Sequence, residues 1–194
     1  MNKALEKLQS KPSFTTEEAV ELGISKRMLS YYVQKGELER IARGVYCSTS
    51  YQSESSDFNW EDLAVAATNV GGGVICLTSA LAYYELTDEI MRKFWIAVEA
   101  NNSKAKFPMT KIVRMRNITL GVEEIELAGM KVKIFDIERT IIDSFRFLSF
   151  ETAMKALKSY MQGEKGKPNL NKMNQYIKTL RASKVKEFIR ALTA

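Results

Sequence analysis

Two helices separated by a sharp turn are predicted from Thr15 onward, and this segment constrains the fold more than any other part of the chain. Thr15 and Glu18 have the spacing of a capping box, in which a helix cap and the residue three positions later bond each other's backbone. Phe14 is placed to pack before them as a hydrophobic staple. We predict a helix that runs to about Leu22 and then turns at Gly23, because glycine tolerates the left-handed conformation of a sharp inter-helix turn.

The second helix has one apolar face and one polar face. Ile24 supplies an apolar side chain for the corner, and Ser25 is the expected helix cap. Leu29, Tyr32 and Val33 cluster on one side of the helical wheel. The opposite side carries side chains at spacings of three, four and seven residues: Arg27, Ser30, Tyr31 and Gln34. The pattern predicts that the first side packs and the second contacts a partner.

A short basic hairpin follows the second helix. Gly36 is the expected end of that helix, and the pattern over 38–46 with a turn at 42–44 predicts two short strands. Arg40 and Arg43 lie near the predicted tip. A helix, a glycine turn, a second helix and a hairpin occur in this order in a winged helix-turn-helix, a fold that binds DNA.

The residue types on the outer face of the second helix suit the major groove. Arginine can form two bonds to guanine, glutamine can do the same with adenine, and serine can bond either base. Lys26 and Lys35 flank this face and would hold phosphates, while Arg40 and Arg43 would clamp the backbone or enter a minor groove. Any solvated helix face can carry such residues, and their position after a capped helix and a glycine turn is what favours DNA. The predicted DNA-binding residues are Ser25, Lys26, Arg27, Ser30, Tyr31, Gln34, Lys35, Arg40 and Arg43.

The charge of the chain is unevenly distributed. The 194 residues have a formal net charge of +6. Residues 51–100 carry eight acidic and two basic side chains, whereas residues 151–194 carry ten basic and three acidic ones. An acidic middle therefore separates two basic ends, and the basic balance favours a polyanionic partner.

Several kinds of chemistry lack their usual residues. The chain contains no histidine, which removes Ser-His and Cys-His catalysis, histidine proton shuttles and most zinc sites. Cys47 and Cys76 stand alone without metal-ligand spacing, so we expect buried, reduced thiols. We predict no catalytic residues, no metal and no cofactor. The first eleven residues lack the apolar core of a signal peptide, which predicts a cytoplasmic protein.

The segment from Leu63 to Tyr84 carries no charge over 22 residues. On length alone it would admit a membrane span. Three glycines at 71–73 and several polar residues interrupt it, so we predict two buried elements around a turn and no membrane contact. Because no Lys-Ser/Thr pair follows the glycines, they do not form a phosphate-binding loop.

A serine-rich segment at 51–59 is the predicted linker between a DNA-binding domain at 1–50 and a second domain at 60–194. We predict an α+β chain in which the second domain is mixed α/β and ends in helices. Its expected elements are helices over 60–70 and 79–86, strands over 74–76, 93–98 and 111–115, and a hairpin over 122–135 that turns at Gly129.

The last part of the chain is helical and basic. Asp136 is expected to cap a helix on whose surface Arg139 and Asp143 pair four residues apart. From Phe150 three amphipathic helices follow, and their outer faces could extend a DNA footprint, bind RNA, meet an acidic protein or simply be solvated. The basic residues of these faces are Lys172, Lys178, Arg181, Lys184, Lys186 and Arg190.

Three segments resemble the AbiEi family of antitoxins. The N-terminal block with LERIARGVY over 38–46 resembles the winged-helix domain of that family, and LTSAL over 77–81 is similar to its SAL helix start. FDIERTIID over 135–143 is similar to its ERTLxD segment, with Ile141 in place of the usual leucine. Together the landmarks cover most of residues 14–146.

The resemblance implies an antitoxin that also represses its own operon in a type IV toxin-antitoxin system, which acts in abortive phage infection. By this resemblance the winged helix binds inverted repeats in double-stranded operator DNA. The C-terminal domain would neutralise a nucleotidyltransferase toxin encoded beside it, and a stable complex with that toxin is not expected.

Two alternatives come from other classes of protein. A ligand-responsive winged-helix repressor, unrelated to a toxin, would have the same N-terminal half and a small-molecule pocket in the second domain. A metal-dependent nuclease would use Asp136, Glu138 and Asp143, although the usual arrangement of carboxylates with a catalytic lysine is not evident.

Overall fold

The computed structural model of the chain describes residues 3–51, 58–102, 107–163 and 166–193. The helices in these ranges are α1 Lys3–Gln9, α2 Thr16–Glu21, α3 Lys26–Gln34, α4 Phe58–Asn69, α5 Leu77–Tyr83, α6 Ile137–Phe147, α7 Phe150–Met161, α8 Leu170–Thr179 and α9 Ser183–Thr193. The strands are β1 Phe14–Thr15, β2 Leu38–Ala42, β3 Val45–Ser48, β4 Val74–Ile75, β5 Phe94–Glu99, β6 Thr110–Met115, β7 Val122–Leu127 and β8 Met130–Phe135. The prediction of an α+β chain is confirmed.

The N-terminal unit packs α1, α2 and α3 on a small antiparallel sheet with the strand order β1-β3-β2. Strand β1 pairs with β3 through Phe14 and Tyr46, whose rings stack at 6.0 Å between centroids. Helix α1 adds Leu5 and Leu8 to the core, which the sequence indicated only as an amphipathic pattern. The predicted hairpin is confirmed as β2 and β3.

The C-terminal sheet has the strand order β6-β5-β4-β8-β7, in which β4/β8 and β5/β6 are parallel and β4/β5 and β7/β8 are antiparallel. The predicted hairpin over 122–135 is confirmed, and its turn has positive φ at Ala128 (48°) and Gly129 (75°). Glu124 lies opposite Lys133 and Glu126 opposite Lys131, the register that opposite charges favour.

Both faces of this sheet are covered. Ile75, Ile96 and Ile134 pack in one cluster with residues of α4. Cys76 and Phe135, which point to the opposite side because side chains alternate along a strand, belong to a second cluster. Each apolar side chain of this size contributes about 1.5–3 kcal/mol when fully buried. The sheet is therefore an internal layer, and its strands are held from both sides.

Helices α5 to α9 share a third cluster of buried side chains: Leu81, Leu86, Ile141, Ile142, Ala156, Leu157, Tyr160, Met173, Tyr176, Ile177, Leu180, Val185 and Ile189. The amphipathic stripes predicted for the last three helices are thus the packing faces of α7, α8 and α9.

The long uncharged segment consists of most of α4, a turn, β4 and α5, as predicted. Gly73 is required at the turn, since a Cβ there would lie 2.8 Å from the Ile96 side chain and 2.8 Å from the Val70 carbonyl oxygen. Within the described ranges no helix has the length and apolar content needed to cross a bilayer.

Several boundaries C-terminal to residue 50 differ from the predicted ones, each by one to three residues. Helix α4 begins at Phe58, so it overlaps the end of the predicted linker at 51–59, whose residues 52–57 lie outside the described residues. Helix α5 begins at Leu77 rather than at residue 79. The division into domains at 1–50 and 60–194 stays a prediction.

Candidate nucleic-acid interface

The start of α2 is fixed by the predicted capping box. The Thr15 hydroxyl accepts from the Glu18 backbone N–H at 3.2 Å, and the Glu18 carboxylate accepts from the Thr15 N–H at 2.7 Å. Lys11 also donates to Glu18, at 2.7 Å. Burial would raise the pKa of Glu18, but the bonds from Lys11 and Thr15 outweigh it and lower that pKa. The cap therefore remains a carboxylate near neutral pH.

The turn after α2 sets the direction of α3. Gly23 has φ of 84°, in the left-handed region that glycine tolerates. Ile24 is fully buried and donates its N–H to the Ala19 carbonyl at 2.8 Å. The Ser25 hydroxyl caps α3 by accepting from the Met28 N–H at 3.3 Å. The predicted glycine turn and serine cap are confirmed.

Helix α3 packs through one face and exposes the other. Leu29 is fully buried, and Tyr32 and Val33 pack against the same cluster. All nine residues predicted to bind DNA are exposed: Ser25, Lys26, Arg27, Ser30, Tyr31, Gln34, Lys35, Arg40 and Arg43. Their exposure allows contact with a ligand, and their role in DNA binding stays a prediction.

Some of these exposed side chains are already engaged within the protein. Ser25 serves as the cap of α3. The Ser30 hydroxyl donates to the Lys26 carbonyl at 3.2 Å, and the Arg40 Nε donates to the Ala42 carbonyl at 3.3 Å. In the part of the chain that the structure describes, four of the nine make no hydrogen bond or ion pair through their side chains: Lys26, Arg27, Gln34 and Arg43.

Tyr31 and Lys35 form a pair at the end of α3. The Lys35 ammonium lies 4.9 Å from the centroid of the Tyr31 ring and 3.8 Å from a Glu37 carboxylate oxygen. Tyr31, and then Glu37, raise the pKa of Lys35. The pair presents an aromatic ring and a fixed positive charge on the same side of the helix.

The tip of the hairpin is attached to α2. Gly44 has φ of 79° and its carbonyl accepts from Thr16 twice, from the N–H at 2.8 Å and from the hydroxyl at 3.2 Å. A Cβ at Gly44 would lie 3.3 Å from that hydroxyl. Arg43 therefore sits on a turn whose backbone is fixed beside the helix–turn–helix region, a contact that local sequence signals did not indicate.

The C-terminal part of the chain contains a cluster that we call the charged core. Its members lie on α6, at its N-terminal cap or on the neighbouring helix α8. Every residue of α6 from 138 to 144 is buried. The charged core consists of Asp136, Glu138, Arg139, Asp143 and Lys172.

Arg139 and Asp143 form the pair that their spacing predicted, with Nε donating to Oδ2 at 2.6 Å. However, Arg139 is 1% exposed and Asp143 is fully buried, so the prediction of a surface pair is wrong. Arg139 also donates to the carbonyls of Asn117 at 2.9 Å and Leu120 at 2.8 Å, and stacks at 4.3 Å on Phe135. A spacing of four brings two side chains within reach but does not reveal what covers the helix.

Asp136 and Glu138 are held by groups from α7 and α8. Asp136 caps α6 as predicted, accepting from the Arg139 N–H at 2.7 Å. Its second oxygen accepts from the Tyr176 hydroxyl at 2.7 Å, and Glu138 accepts from the Tyr160 hydroxyl at 2.6 Å. These bonds connect α6 to the helices that follow it.

The ammonium group of Lys172 forms ion pairs with the carboxylates of both Asp136 and Glu138. It lies 3.2 Å from Asp136 and 3.1 Å from Glu138. Burial would lower the pKa of Lys172, but the bond with Glu138 and the charge of Asp136 raise it overall. The expectation that Lys172 belongs to a basic outer face is therefore wrong. The other predicted members of that face are exposed: Lys178, Arg181, Lys184, Lys186 and Arg190.

Gly121 closes the charged core from the sheet side. It has φ of 71°, and its carbonyl accepts from the Asp136 N–H at 2.8 Å. A Cβ there would lie 2.9 Å from both the Arg139 Cβ and the Asp136 carboxylate. Any larger residue would displace the charged core, a role that the sequence pattern did not suggest.

The carboxylates considered for a nuclease site are occupied by cationic and hydroxyl groups of the chain itself. Asp143 pairs with Arg139 and Arg146, while Asp136 and Glu138 pair with Lys172. Among the described residues, no group of three or more Cys, Asp or Glu is arranged to hold a metal ion. The geometry therefore favours a structural role for these residues over metal-assisted cleavage.

The two cysteines are free thiols. Cys76 is fully buried, as predicted, whereas Cys47 is only partly buried. Burial raises the pKa of both, with Glu39 adding to the effect at Cys47 and Asp143 at Cys76. Because a raised pKa favours the protonated thiol, we expect neither cysteine to react as a thiolate.

Tyr160 and Tyr176, which donate to carboxylates of the charged core, predict a pH dependence of stability. Burial, and then the bonded carboxylate, raise the pKa of Tyr160 and of Tyr176 to about 12, against 10.0 for a free tyrosine. Because the unfolded state loses these protons first, their contribution to stability is present below pH 10.0 and is lost as the pH rises toward about 12. We expect the free energy of unfolding to fall over this interval. In Tyr176→Phe it should fall less steeply with pH, by an amount that corresponds to up to one bound proton. Urea unfolding at several alkaline pH values measures this slope, and parallel curves for the two proteins would contradict the assignment.

The helix–turn–helix arrangement of α2 and α3 is one that many DNA-binding proteins share. Residues 2–49 match the family described as "Transcriptional regulator, AbiEi antitoxin". The match spans α1 to β3 and confirms, for that segment, the resemblance to AbiEi antitoxins. Residues 2–49 are therefore similar to the AbiEi antitoxin regulators.

The whole chain has a structural relative. It is similar to the crystal structure of the RV2827C protein from Mycobacterium tuberculosis, with a TM-score of 0.58 over 91% of this chain and 70% of that chain. The two sequences are 10% identical, so the likeness shows a shared fold and no more. No curated protein matches the chain in sequence.

Proposed function

We propose that this chain is a DNA-binding repressor in which residues 1–50 form a winged helix-turn-helix domain. The observation that carries the proposal is the outward face of α3, which lies opposite buried Leu29. That face follows a capped helix and a glycine turn and stands beside a hairpin whose tip is held in place. In this arrangement α3 enters the major groove and the hairpin contacts the backbone.

The unengaged side chains have distinct roles in this proposal. Arg27 and Gln34 read base edges, since arginine and glutamine can each make two bonds to one purine. Lys26 and Arg43 bind phosphates and supply the salt-dependent part of the affinity. Tyr31 packs its exposed ring against the groove wall beside Lys35.

The family description supports an antitoxin role for the same chain. We propose that it represses its own type IV toxin-antitoxin operon at inverted repeats, in the cytoplasm, as part of abortive phage infection. Residues 60–194 would neutralise a nucleotidyltransferase toxin encoded beside it without a stable complex. A ligand-responsive repressor unrelated to a toxin is the alternative, and the identity of the neighbouring gene distinguishes the two.

Co-expression with the neighbouring toxin tests this division of labour. The full chain should restore growth and repress a reporter placed behind its own promoter. A variant carrying Arg27→Ala and Arg43→Ala should still restore growth but should lose repression, because it leaves the C-terminal domain intact. Failure of the full chain to restore growth would contradict the antitoxin role. Loss of rescue by the double variant at equal protein level would contradict the separation of the two activities.

A further inference from the structure

A cleft of about 880 Å³ lies between the N-terminal unit and the C-terminal domain. One wall comes from the start of α2 and the residues before it, including Ser13, Thr15 and Glu18. The other comes from α4 and includes Glu61, Thr68 and Asn69. The Asn69 amide reaches across to the Ser13 hydroxyl at 3.4 Å. A volume of this size accommodates a small organic molecule.

Glu61 is the unusual residue of this cleft. It is 8% exposed, and in the described part of the chain its Oε1 is the one buried side-chain oxygen or nitrogen without a hydrogen-bond partner. Buried carboxylates are normally paired, because removing them from water without a partner is costly. An exception of this kind points to a group that is supplied from outside the chain.

The surroundings of Glu61 define the charge of that group. Lys11, a basic residue on the opposite wall, is already bonded to Glu18 at 2.7 Å. Among the residues that line the cleft, Glu18 and Glu61 are acidic and Lys11 is the one with a basic side chain. The cleft therefore has more acidic than basic side chains, and Glu61 is the acidic one whose Oε1 lacks a partner within the described residues.

We propose that the cleft binds a small organic cation, an amine or guanidinium, whose N–H groups donate to Glu61. Ca²⁺ or Mg²⁺ fits poorly, since these ions take six or more oxygen ligands and the described residues present no group of three or more Cys, Asp or Glu that could hold a metal ion. An organic cation needs one carboxylate and fills the remaining space with its body. This site is separate from the exposed face of α3.

Binding in the cleft also connects the two parts of the molecule. Its walls belong to the unit that carries α3 and to the domain that contains α4. A ligand that contacts both walls changes their relative freedom, and by thermodynamic linkage it changes the affinity for DNA. This second step rests on the proposed DNA-binding function, whereas the binding step does not.

Thermal unfolding of the full chain with agmatine or putrescine tests the site, with 1,4-butanediol as the neutral control. We expect the cations to raise Tm saturably in the wild type and in Glu187→Gln, which removes an exposed carboxylate of α9. Glu61→Gln should bind at least tenfold more weakly. Without cation it should melt at or above the wild-type temperature, because a buried carboxylate without a partner is replaced by a neutral amide, and this melting also shows that the variant folds. An absence of any saturable shift in the wild type, or an equal shift in Glu61→Gln, would overturn the proposal.

DNA affinity measured with and without agmatine separates the two steps. We expect a change of several-fold in the wild type and none in Glu61→Gln. A Tm shift with no change in DNA affinity would support the site and overturn the coupling. A protein that binds agmatine but no DNA would refute the proposed function and leave the cation site in place.

Discussion

Replacing Arg139 with methionine is expected to lower the free energy of unfolding by about 3–5 kcal/mol, because it leaves a buried charge without its main partner. Asp143 is fully buried and receives Nε of Arg139 at 2.6 Å. The carbonyls of Asn117 and Leu120 would lose their donors as well. Arg146 still bonds the other oxygen of Asp143, which favours the lower end of the range. Urea unfolding monitored by circular dichroism measures the change.

Two further variants separate charge loss from general disruption. Arg116→Met removes an exposed arginine near the same loop and should change stability by less than about 0.5 kcal/mol. Combining Arg139→Met with Asp143→Leu removes both buried charges and should recover part of the loss, since an apolar pair of similar volume can replace a buried ion pair. If Arg139→Met were no less stable than Arg116→Met, the charged core would not be a structural centre.

Arg27→Ala is expected to weaken binding to the operator by about 1–3 kcal/mol, or about 5- to 150-fold, and to reduce the preference for operator over random DNA. Arg27 is exposed on α3 and makes no side-chain bond within the described residues, so its guanidinium is available to a guanine edge. Fluorescence anisotropy on both duplexes at one salt concentration measures the two affinities.

Two control variants identify what Arg27 does. Arg92→Ala removes an exposed arginine far from α3 in sequence and should leave both affinities nearly unchanged. Arg43→Ala, at the hairpin tip, should weaken both duplexes alike and lower the salt dependence by about one counterion, since a phosphate contact carries no sequence information. If Arg27→Ala weakened binding to both duplexes equally, Arg27 would not be a residue that reads base sequence.

Local signals were sufficient to predict α2, the glycine turn and the start of α3. The capping box at Thr15, the turn at Gly23 and the cap at Ser25 each depend on residues within four positions of one another. Their chemistry can therefore be predicted before the fold is known. The hairpin over 122–135 followed for the same reason, from alternating side chains and a glycine at the turn.

Contacts between distant segments could not be predicted in this way. In the sequence, Lys172 has the pattern of a solvent-exposed lysine on an amphipathic helix. Its pairing with Asp136 and Glu138 depends on the packing of α8 beside α6. The bond from Thr16 to Gly44 depends on how the hairpin folds over α2. The burial of Arg139 had no local signal either, because α6 is strongly amphipathic and Arg139 lies on its polar side, which in an isolated helix would face solvent.

The cleft is the clearest case of a feature hidden from the sequence. Glu61 reads as an ordinary acidic residue in the first turn of a helix, where acids are favoured. In the folded chain it is nevertheless only 8% exposed and lines the cleft. The lack of a hydrogen-bond donor to its Oε1 among the described residues can be recognised only in the folded structure.

The affinity of the full chain for the DNA upstream of its own gene tests the central claim most directly. Fluorescence anisotropy would compare that duplex with a shuffled duplex of equal length at about 0.15 M salt. Specific regulators bind their sites at least about 10³-fold more tightly than other DNA, and we predict a preference of that order. Equal affinity for the two duplexes would contradict the proposal that the exposed face of α3 reads sequence.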